Sequence, residues 1–462
     1  MQKAQMGESR SPVTPEAVEK WKQGLRGDLL LPDAAGYDGA RRIYNGMIDR
    51  RPAMILRCSG VADAMSAVEF ARTHDVPVSI RGGGHNVAGN ALCEGGLMID
   101  MSGMKGVRVD PVRRTARAEP GLTYREFDRE TQAFGLATTG GTVSATGIAG
   151  LTLGGGIGWL ARKHGLACDN LVSVDLLTAA GELLTVNAEQ NQDLFWAVRG
   201  AGHNFGIVTS FEYRLHDVGP VTGGMLVHPI ERAKAMLQAH REACHAAPEE
   251  MMTAAGLLPS PELSPIAGIV GCYHGPAEHA AGAWQPWREF GPPVMDTVQQ
   301  MPYTSMQRLI DEPFPAGLQN YWKSCFLAEL SDEAIDVIVG YHAAKPSPLT
   351  AIVVEHLGGA VARVGKDETA FSQRDGIFNV LMVSRWTDPA DADKNVAWTR
   401  GLWSALAPLG TGGVYVNYLG SDENDRVADA YRGHYQRLAA LKAKYDPANF
   451  FRHNQNIRPG TA

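Results

Sequence analysis

Two glycine-rich stretches constrain this chain more than anything else in it. Residues 140–159 read Gly-Gly-Thr-Val-Ser-Ala-Thr-Gly-Ile-Ala-Gly-Leu-Thr-Leu-Gly-Gly-Gly-Ile-Gly-Trp, eight glycines in twenty residues. Ordering so many residues without a Cβ is entropically unfavourable. Such a stretch makes sense where bare amides and hydroxyls wrap a pyrophosphate. The second stretch is Arg81-Gly-Gly-Gly-His-Asn-Val-Ala-Gly89, in which three glycines lead to His85. Its arginine can fork onto a phosphate, and its histidine presents a nucleophilic ring nitrogen. Taken alone, that loop is more readily a tight turn with a surface histidine. Neither stretch is a Rossmann fingerprint. Counted from Gly154, the third required glycine falls at Trp159, and there is no Gly-Lys-Ser/Thr for a P-loop.

The surrounding pattern is mixed. Thr14 and Pro15 open a helix expected to run to Leu29. Pro52–Cys58 reads as a strand, Val61–His74 as a helix and Val76–Ile80 as a strand feeding the His85 loop. That is a βαβ unit with its loop at a strand's C-terminal end. Leu97–Met101 adds a strand, and this first lobe closes near residue 105. The second lobe, 106–217, holds a strand at Thr115–Glu119, a helix at Thr123–Phe134 and the long glycine stretch. Asn170–Thr178 and Leu183–Val186 then form a hairpin about Ala180-Gly181, and Phe205–Leu215 is a closing strand. From Val218 the character changes. Strands near 223–229, 251–258, 265–275, 350–357, 376–386 and 412–419 alternate with helices at Glu231–Ala246, Asp332–Ala344 and Pro389–Leu406. Ser331 is the N-cap of the second of these helices. The fold class is α+β, with a mostly antiparallel sheet backed by helices.

The two glycine stretches at this spacing, together with Arg199-Gly-Ala-Gly-His-Asn-Phe-Gly-Ile-Val-Thr209 and the tail Tyr445-Asp-Pro-Ala-Asn-Phe-Phe451 followed by Asn454, Gln455, Asn456 and Ile457, carry a resemblance. The chain resembles the berberine bridge enzyme-like and 6-hydroxynicotine oxidase-like branch of the vanillyl-alcohol oxidase flavoproteins, from about Tyr37 to Ile457. The resemblance implies a two-lobed FAD-binding domain of the PCMH type over residues 1–217, a substrate domain over 218–411 forming a roof on the flavin, and a segment 412–462 returning to the FAD-binding domain. It implies FAD attached through its 8α-carbon to His85. Many relatives add a cysteine bond at the position that is Val143 here, so a single tether is expected. FAD contacts are expected from Arg81, Gly82, Gly83, Gly84, Asn86 and Gly89. Others are expected from Thr142, Val143, Ser144, Ala145, Thr146, Gly150, Gly154, Gly155, Gly156 and Gly158, and from Ile207, Val208, Asn417 and Asn454.

The resemblance also places Thr146 at the oxygen gate of the flavin, where small residues admit O2; the plain reading is a β-branched packing residue. Val414-Tyr-Val-Asn-Tyr-Leu-Gly420 resembles the family segment whose tyrosine serves as base, which points to Tyr418; the aspartate expected two residues on is Gly420. Strand alternation would set Tyr418 and Val416 on one face and Tyr415, Asn417 and Leu419 on the other. An unperturbed tyrosine titrates near ~10, so Tyr418 needs a partner to act as base. The strand at 376–386 has Val380 or a neighbour where relatives often hold glutamate. Glu355 is the remaining acid for the role, set against its reading as a solvent-facing strand carboxylate. The expected activity is hydride abstraction from a C–H beside O or N of a small organic molecule, with O2 reduced to H2O2. The alternatives are an oxygenating enzyme of secondary metabolism and a flavin-binding protein without catalysis.

Composition narrows partners. The formal net charge is −7, which gives no reason to expect nucleic acid. The six cysteines are scattered, without zinc-like spacing, and no His/Asp/Glu spacing suggests a metal. His164 and His203 read as packing or cofactor-lobe residues. There is no run of 18 apolar residues and no apolar stretch in residues 1–10, so the expectation is a cytoplasmic protein of bacterial type without a membrane partner.

Overall fold

The structure, a computed structural model, describes residues 13–260 and 265–460. The first ten residues, read above as lacking an apolar leader, lie outside it. The opening helix is Pro15–Gln23, capped by the Thr14 hydroxyl on the Ala17 amide. It stops well short of Leu29, because the chain turns at Gly24 and pairs as a strand instead. That strand, β1 (Asp28–Leu30), joins β2 (Met54–Arg57), β3 (Val78–Arg81) and β4 (Leu97–Asp100) in the order β1-β2-β4-β3. β4 is parallel to both β2 and β3. The helix Val61–His74 buries Ala64, Ala67, Val68 and Ala71 against this sheet.

The second sheet is antiparallel throughout. It contains β5 (Val107–Asp110) and β6 (Thr115–Ala118), and later β8 (Leu171–Leu177), β9 (Leu183–Asn187) and β10 (Ile207–Arg214), ordered β5-β6-β10-β8-β9. The short strands β7 (Leu136–Ala137) and β11 (His216–Asp217) pair beside it. The hairpin expected about Gly181 is β8 with β9.

The third sheet has eight strands. Its long members are β12 (Val221–Pro229), β13 (Met251–Leu258) and β14 (Ile266–Tyr273), and its short edge strands are β15 (Met295–Asp296) and β16 (Gln299–Met301). β17 (Gln319–Leu327), β18 (Ala351–His356) and β19 (Phe378–Trp386) complete it, and all pairings are antiparallel. Helices Ala233–Ala246, Ala280–Arg288, Asp332–Ala343 and Ala392–Leu406 cover one face. Alternation then decides the other face. Along β18, Ile352 and Val354 enter the helix-side core, so Ala351, Val353 and Glu355 turn towards the first two sheets.

β17 was not visible in the sequence, because Lys323 interrupts its apolar pattern. The structure buries that lysine on the Glu423 carboxylate at 2.5 Å. The strand expected at 412–419 is absent. Thr411 bonds to the Phe326 carbonyl, Gly412 takes φ +79°, and Val416–Tyr418 winds into a 3-10 turn. Strand alternation therefore fails there, and Tyr415, Asn417 and Tyr418 all reach one cavity. Val414, Val416 and Leu419 meanwhile pack into the core of the second sheet.

Candidate active site

β3 runs directly into the first glycine loop, whose backbone passes against the second. A Cβ on Gly83 would lie 2.6 Å from Gly147 Cα, so neither position has room for a side chain. Gly84 takes φ +68° and turns the chain into His85. The imidazole of His85 stacks on the Tyr44 ring at 4.0 Å between centroids. The neighbouring Asn45 side chain donates to the Val87 and Asn320 carbonyls at 2.7 and 2.9 Å, tying the loop to β17. Burial pushes the His85 pKa down to about 4, against the pull of the nearby Asp311 carboxylate. At neutral pH the ring is therefore uncharged, with a lone pair on one nitrogen.

The loops floor a cavity between all three sheets. Gly82, Gly83, Gly84, His85 and Asn86 line it from the first loop, and Thr142, Val143, Thr146 and Gly150 from the second. Ile207 and Val208 at the start of β10, and Asn454 in the tail, also line it. Two lining residues keep buried polar atoms without protein partners, His203 Nδ1 and Asn454 Oδ1. Close-passing glycine backbones, an uncharged histidine and unanswered polar atoms fit a long ligand with a polar middle, as FAD is. His85, the two glycine loops, Asn417 and Asn454 are the residues that would hold it.

Over the His85 end, β18 and the 3-10 turn bring two predicted residues together. The Tyr418 hydroxyl donates to Glu355 Oε1 at 3.2 Å, and Asn379 Nδ2 donates to Oε2 at 2.6 Å. Glu355 is only 5% exposed, so its reading as a solvent-facing carboxylate is overturned by the face of β18 on which it lies. Burial raises its pKa to about 7, although the two hydrogen bonds oppose the rise. Burial, then the Glu355 charge, hold the Tyr418 hydroxyl well above its ordinary range. Of the two, the carboxyl is the group that titrates near neutrality. Tyr415 has another task. Its hydroxyl accepts from the Gly156 amide at 2.9 Å and from Asn417 Nδ2 at 2.8 Å, pinning the turn to the long glycine stretch.

Several expected cofactor contacts lie off the cavity wall. Arg81 Nη1 donates to the Ala40 carbonyl and lies 3.8 Å from Asp100, while its buried Nε has no protein partner. Ser144 is buried on Asp311, with 2.6 Å between Oγ and Oδ2, and Ala145 is exposed. Gly89 packs on Ile48, while Gly154, Gly155, Gly156 and Gly158 pack on Asn417, Phe371, Ala167 and the Gly140 carbonyl. These glycines permit close packing behind the wall. His164 stacks on His216 away from the site, whereas His203 lines the cavity and bonds Gly150 O at 2.9 Å. All six cysteines are buried and unpaired. Sequence reasoning missed Tyr44, Asn45 and Asp311, and it placed Asn379 on a candidate roof strand without giving it a role. Among the described residues no helix is long and apolar enough to cross a membrane, and no cluster of three or more His, Cys, Asp or Glu is arranged to hold a metal.

Comparison with known proteins gives this geometry a context. The FAD binding domain family matches residues 52–187, and the berberine and berberine-like family matches residues 414–458. An FAD-linked oxidoreductase of Dictyostelium discoideum is 34% identical over 96% of this chain and 97% of its own. The crystal structure of 6-hydroxy-D-nicotine oxidase from Arthrobacter nicotinovorans superposes with a TM-score of 0.87 at 29% identity, covering 95% of this chain and 99% of the other. A chitooligosaccharide oxidase superposes with a TM-score of 0.85 at 25% identity, covering 96% and 100%.

Proposed function

The chain belongs to the berberine bridge enzyme-like FAD-linked oxidoreductases, and from that premise we propose an oxidase that takes a hydride from a C–H beside O or N and passes the electrons to O2, forming H2O2. The observation that carries the proposal is the buried Glu355–Tyr418 pair facing the same cavity as His85. Bound FAD supplies the hydride acceptor. The protein's own part is positioning, proton transfer and exclusion of water. Glu355 accepts the substrate proton, Tyr418 steadies the carboxylate through its hydroxyl, and Asn379 fixes the second oxygen. The carboxyl's elevated pKa suits that task near neutrality.

In this reading His85 bears the FAD through a single covalent bond, because Val143 offers no thiol for a second. Its uncharged nitrogen is the required nucleophile. Thr146, on the cavity wall, would border a bound flavin and is small enough to admit O2 there. The substrate is a small organic molecule. An inert flavin-binding protein was suggested only by the lack of an acidic partner for Tyr418, and Glu355 meets that lack.

The test is a denaturing gel viewed under ultraviolet light, with His85→Ala alongside. A fluorescent band in the parent and none in the variant is expected. One H2O2 per substrate consumed is the second expected result. Flavin released by acid from the parent removes the tether. Oxygen atoms incorporated into product without matching peroxide replace the oxidase with an oxygenase.

A further inference from the structure

Three histidines line the cavity, His85, His203 and His453. Two of them are fixed by a carbonyl: His203 Nε2 lies 2.9 Å from Gly150 O, and His453 Nε2 lies 2.9 Å from Leu92 O. Among the described residues no group hydrogen-bonds to the His85 ring; burial and the distant Asp311 charge are what act on it. Its one directional contact is the Tyr44 ring, stacked on it at 4.0 Å between centroids and 21° between planes.

Tyr44 is itself held firmly. Its amide donates to the carbonyl of Gly84, the residue before His85, at 3.0 Å, and its carbonyl accepts from the Gly317 amide at 2.9 Å. The Trp322 ring meets it edge-on at 5.8 Å and 72°. Val87, Ala351, Leu381 and Val383 pack with both rings in one apolar cluster. The Tyr44 hydroxyl is buried without a hydrogen-bond partner, so it anchors nothing. The position uses the flat ring and not the phenol. Tyr44 also stands outside the cavity wall that His85 forms.

A ring nitrogen bonds along its lone pair, which lies in the plane of the imidazole. Rotation about the histidine Cβ–Cγ bond is broad and soft, so an unheld ring sweeps that direction through a wide arc. Face-to-face contact with an immobile ring restricts the arc, because turning the imidazole breaks the stack. A misplacement of about 1 Å slows a bond-forming step by ~10²-fold.

We propose that Tyr44 is a positioning residue for attachment of FAD: its ring fixes the plane of the His85 imidazole and so aims the bonding nitrogen into the cavity. The inference rests on the reading that His85 bears the cofactor. In that attachment an N–C bond forms, while one C–H of the 8α-methyl and the N–H of the imidazole break. The two hydrogens, with two electrons, reach O2 by way of the flavin and leave as H2O2. Tyr44 exchanges neither protons nor electrons, and burial lifts its hydroxyl to about 12.

The experiment gives FAD, in air, to full-length protein from a riboflavin-starved host. Total bound flavin is read as absorbance before acid, and attached flavin as fluorescence of the acid-denatured protein over time. Tyr44→Leu and Tyr44→Met are expected to bind flavin within twofold of the parent and to attach it at least tenfold more slowly. Tyr44→Phe, which keeps the ring and loses only the unbonded hydroxyl, is expected to restore the parent's rate. Attachment at the parent's rate in Tyr44→Leu or Tyr44→Met overturns the proposal, as does slow attachment in Tyr44→Phe. Failure to fold, or equal loss of total and attached flavin, in both Tyr44→Leu and Tyr44→Met also overturns it, because Tyr44 is then a support of the fold. A parent that binds FAD and never attaches it removes the tether reading, and this proposal with it. Against a parent that attaches FAD normally, failure of the variant arms strikes the proposal alone.

Discussion

At the scale of the residue, the decisive side chain is one that sequence patterning located but could not orient. Glu355 sits on a strand in either reading, and one step of register would have turned it into the helix-side core. Its neighbours Ile352 and Val354 occupy that core, and this fixes its direction. Glu355→Gln keeps the shape and removes the proton acceptor, so kcat/KM is expected to fall by roughly 10²–10⁴-fold. The parent's kcat/KM should rise through an apparent pKa near 7, and the variant should lose that limb. A stability measurement gives an independent check. The folded carboxyl titrates above its ordinary value of 4.5, so between about 4.5 and 7 the native state binds more protons than the unfolded chain. Glu355's contribution to stability is lost as pH rises through that window, and Glu355→Gln should remove this loss. His85 was legible from its glycines. Tyr44, which holds its ring, was not, because nothing local marks a tyrosine 41 residues earlier as a stacking partner.

At the scale of the element, the site depends on where backbone passes backbone. The two glycine stretches announced themselves by composition, but their division of labour did not. Some of these glycines face the cavity, and others exist so that Asn417, Phe371 or Ala167 can press against the chain. Gly83→Ala forces a methyl onto Gly147 and is expected to abolish FAD loading, measured as flavin absorbance per protein. A conservative change elsewhere on the same loop, Val87→Ile, should retain it. Asn45→Ala removes the clamp between that loop and β17. It should cost about 1–3 kcal/mol by leaving buried backbone groups unpaired, read as a lowered midpoint in urea. The strand wrongly expected at 412–419 shows the limit of pattern reading. Val414, Val416 and Leu419 alternate as in a strand, yet Gly412 and the demands of Tyr415 on the glycine stretch favour a turn.

At the scale of the whole molecule, three sheets meet around one cavity, and their contacts hold groups that water would charge. His164 stacks on His216 at 3.9 Å, and His274 lies 5.3 Å from His164, bringing the roof sheet against the strand pair β7/β11. Burial pushes His164 to about 3, and His216 and His274 to about 4. Each folded pKa is depressed below 6.5, so the unfolded state takes up more protons between about 6.5 and 4. Their contribution is therefore present above 6.5 and lost as pH falls through that window. The Tm of the holoprotein should drop across it, and His274→Gln should flatten the drop. Lys163, Arg214, Arg114, Asp217 and Glu250 surround the cluster and modulate the slope. The α+β class was readable from alternating patterns, while the meeting of the sheets was not, because it is written in pairs such as Arg374 with Asp169 that lie 205 positions apart. The cavity wall itself runs from Val78 to Gln455, which orders events in time. A polypeptide still being translated has no complete chamber until residue 455 has emerged. Full enclosure of a ligand in that chamber therefore comes only after the first two sheets, both of which are complete by Arg214.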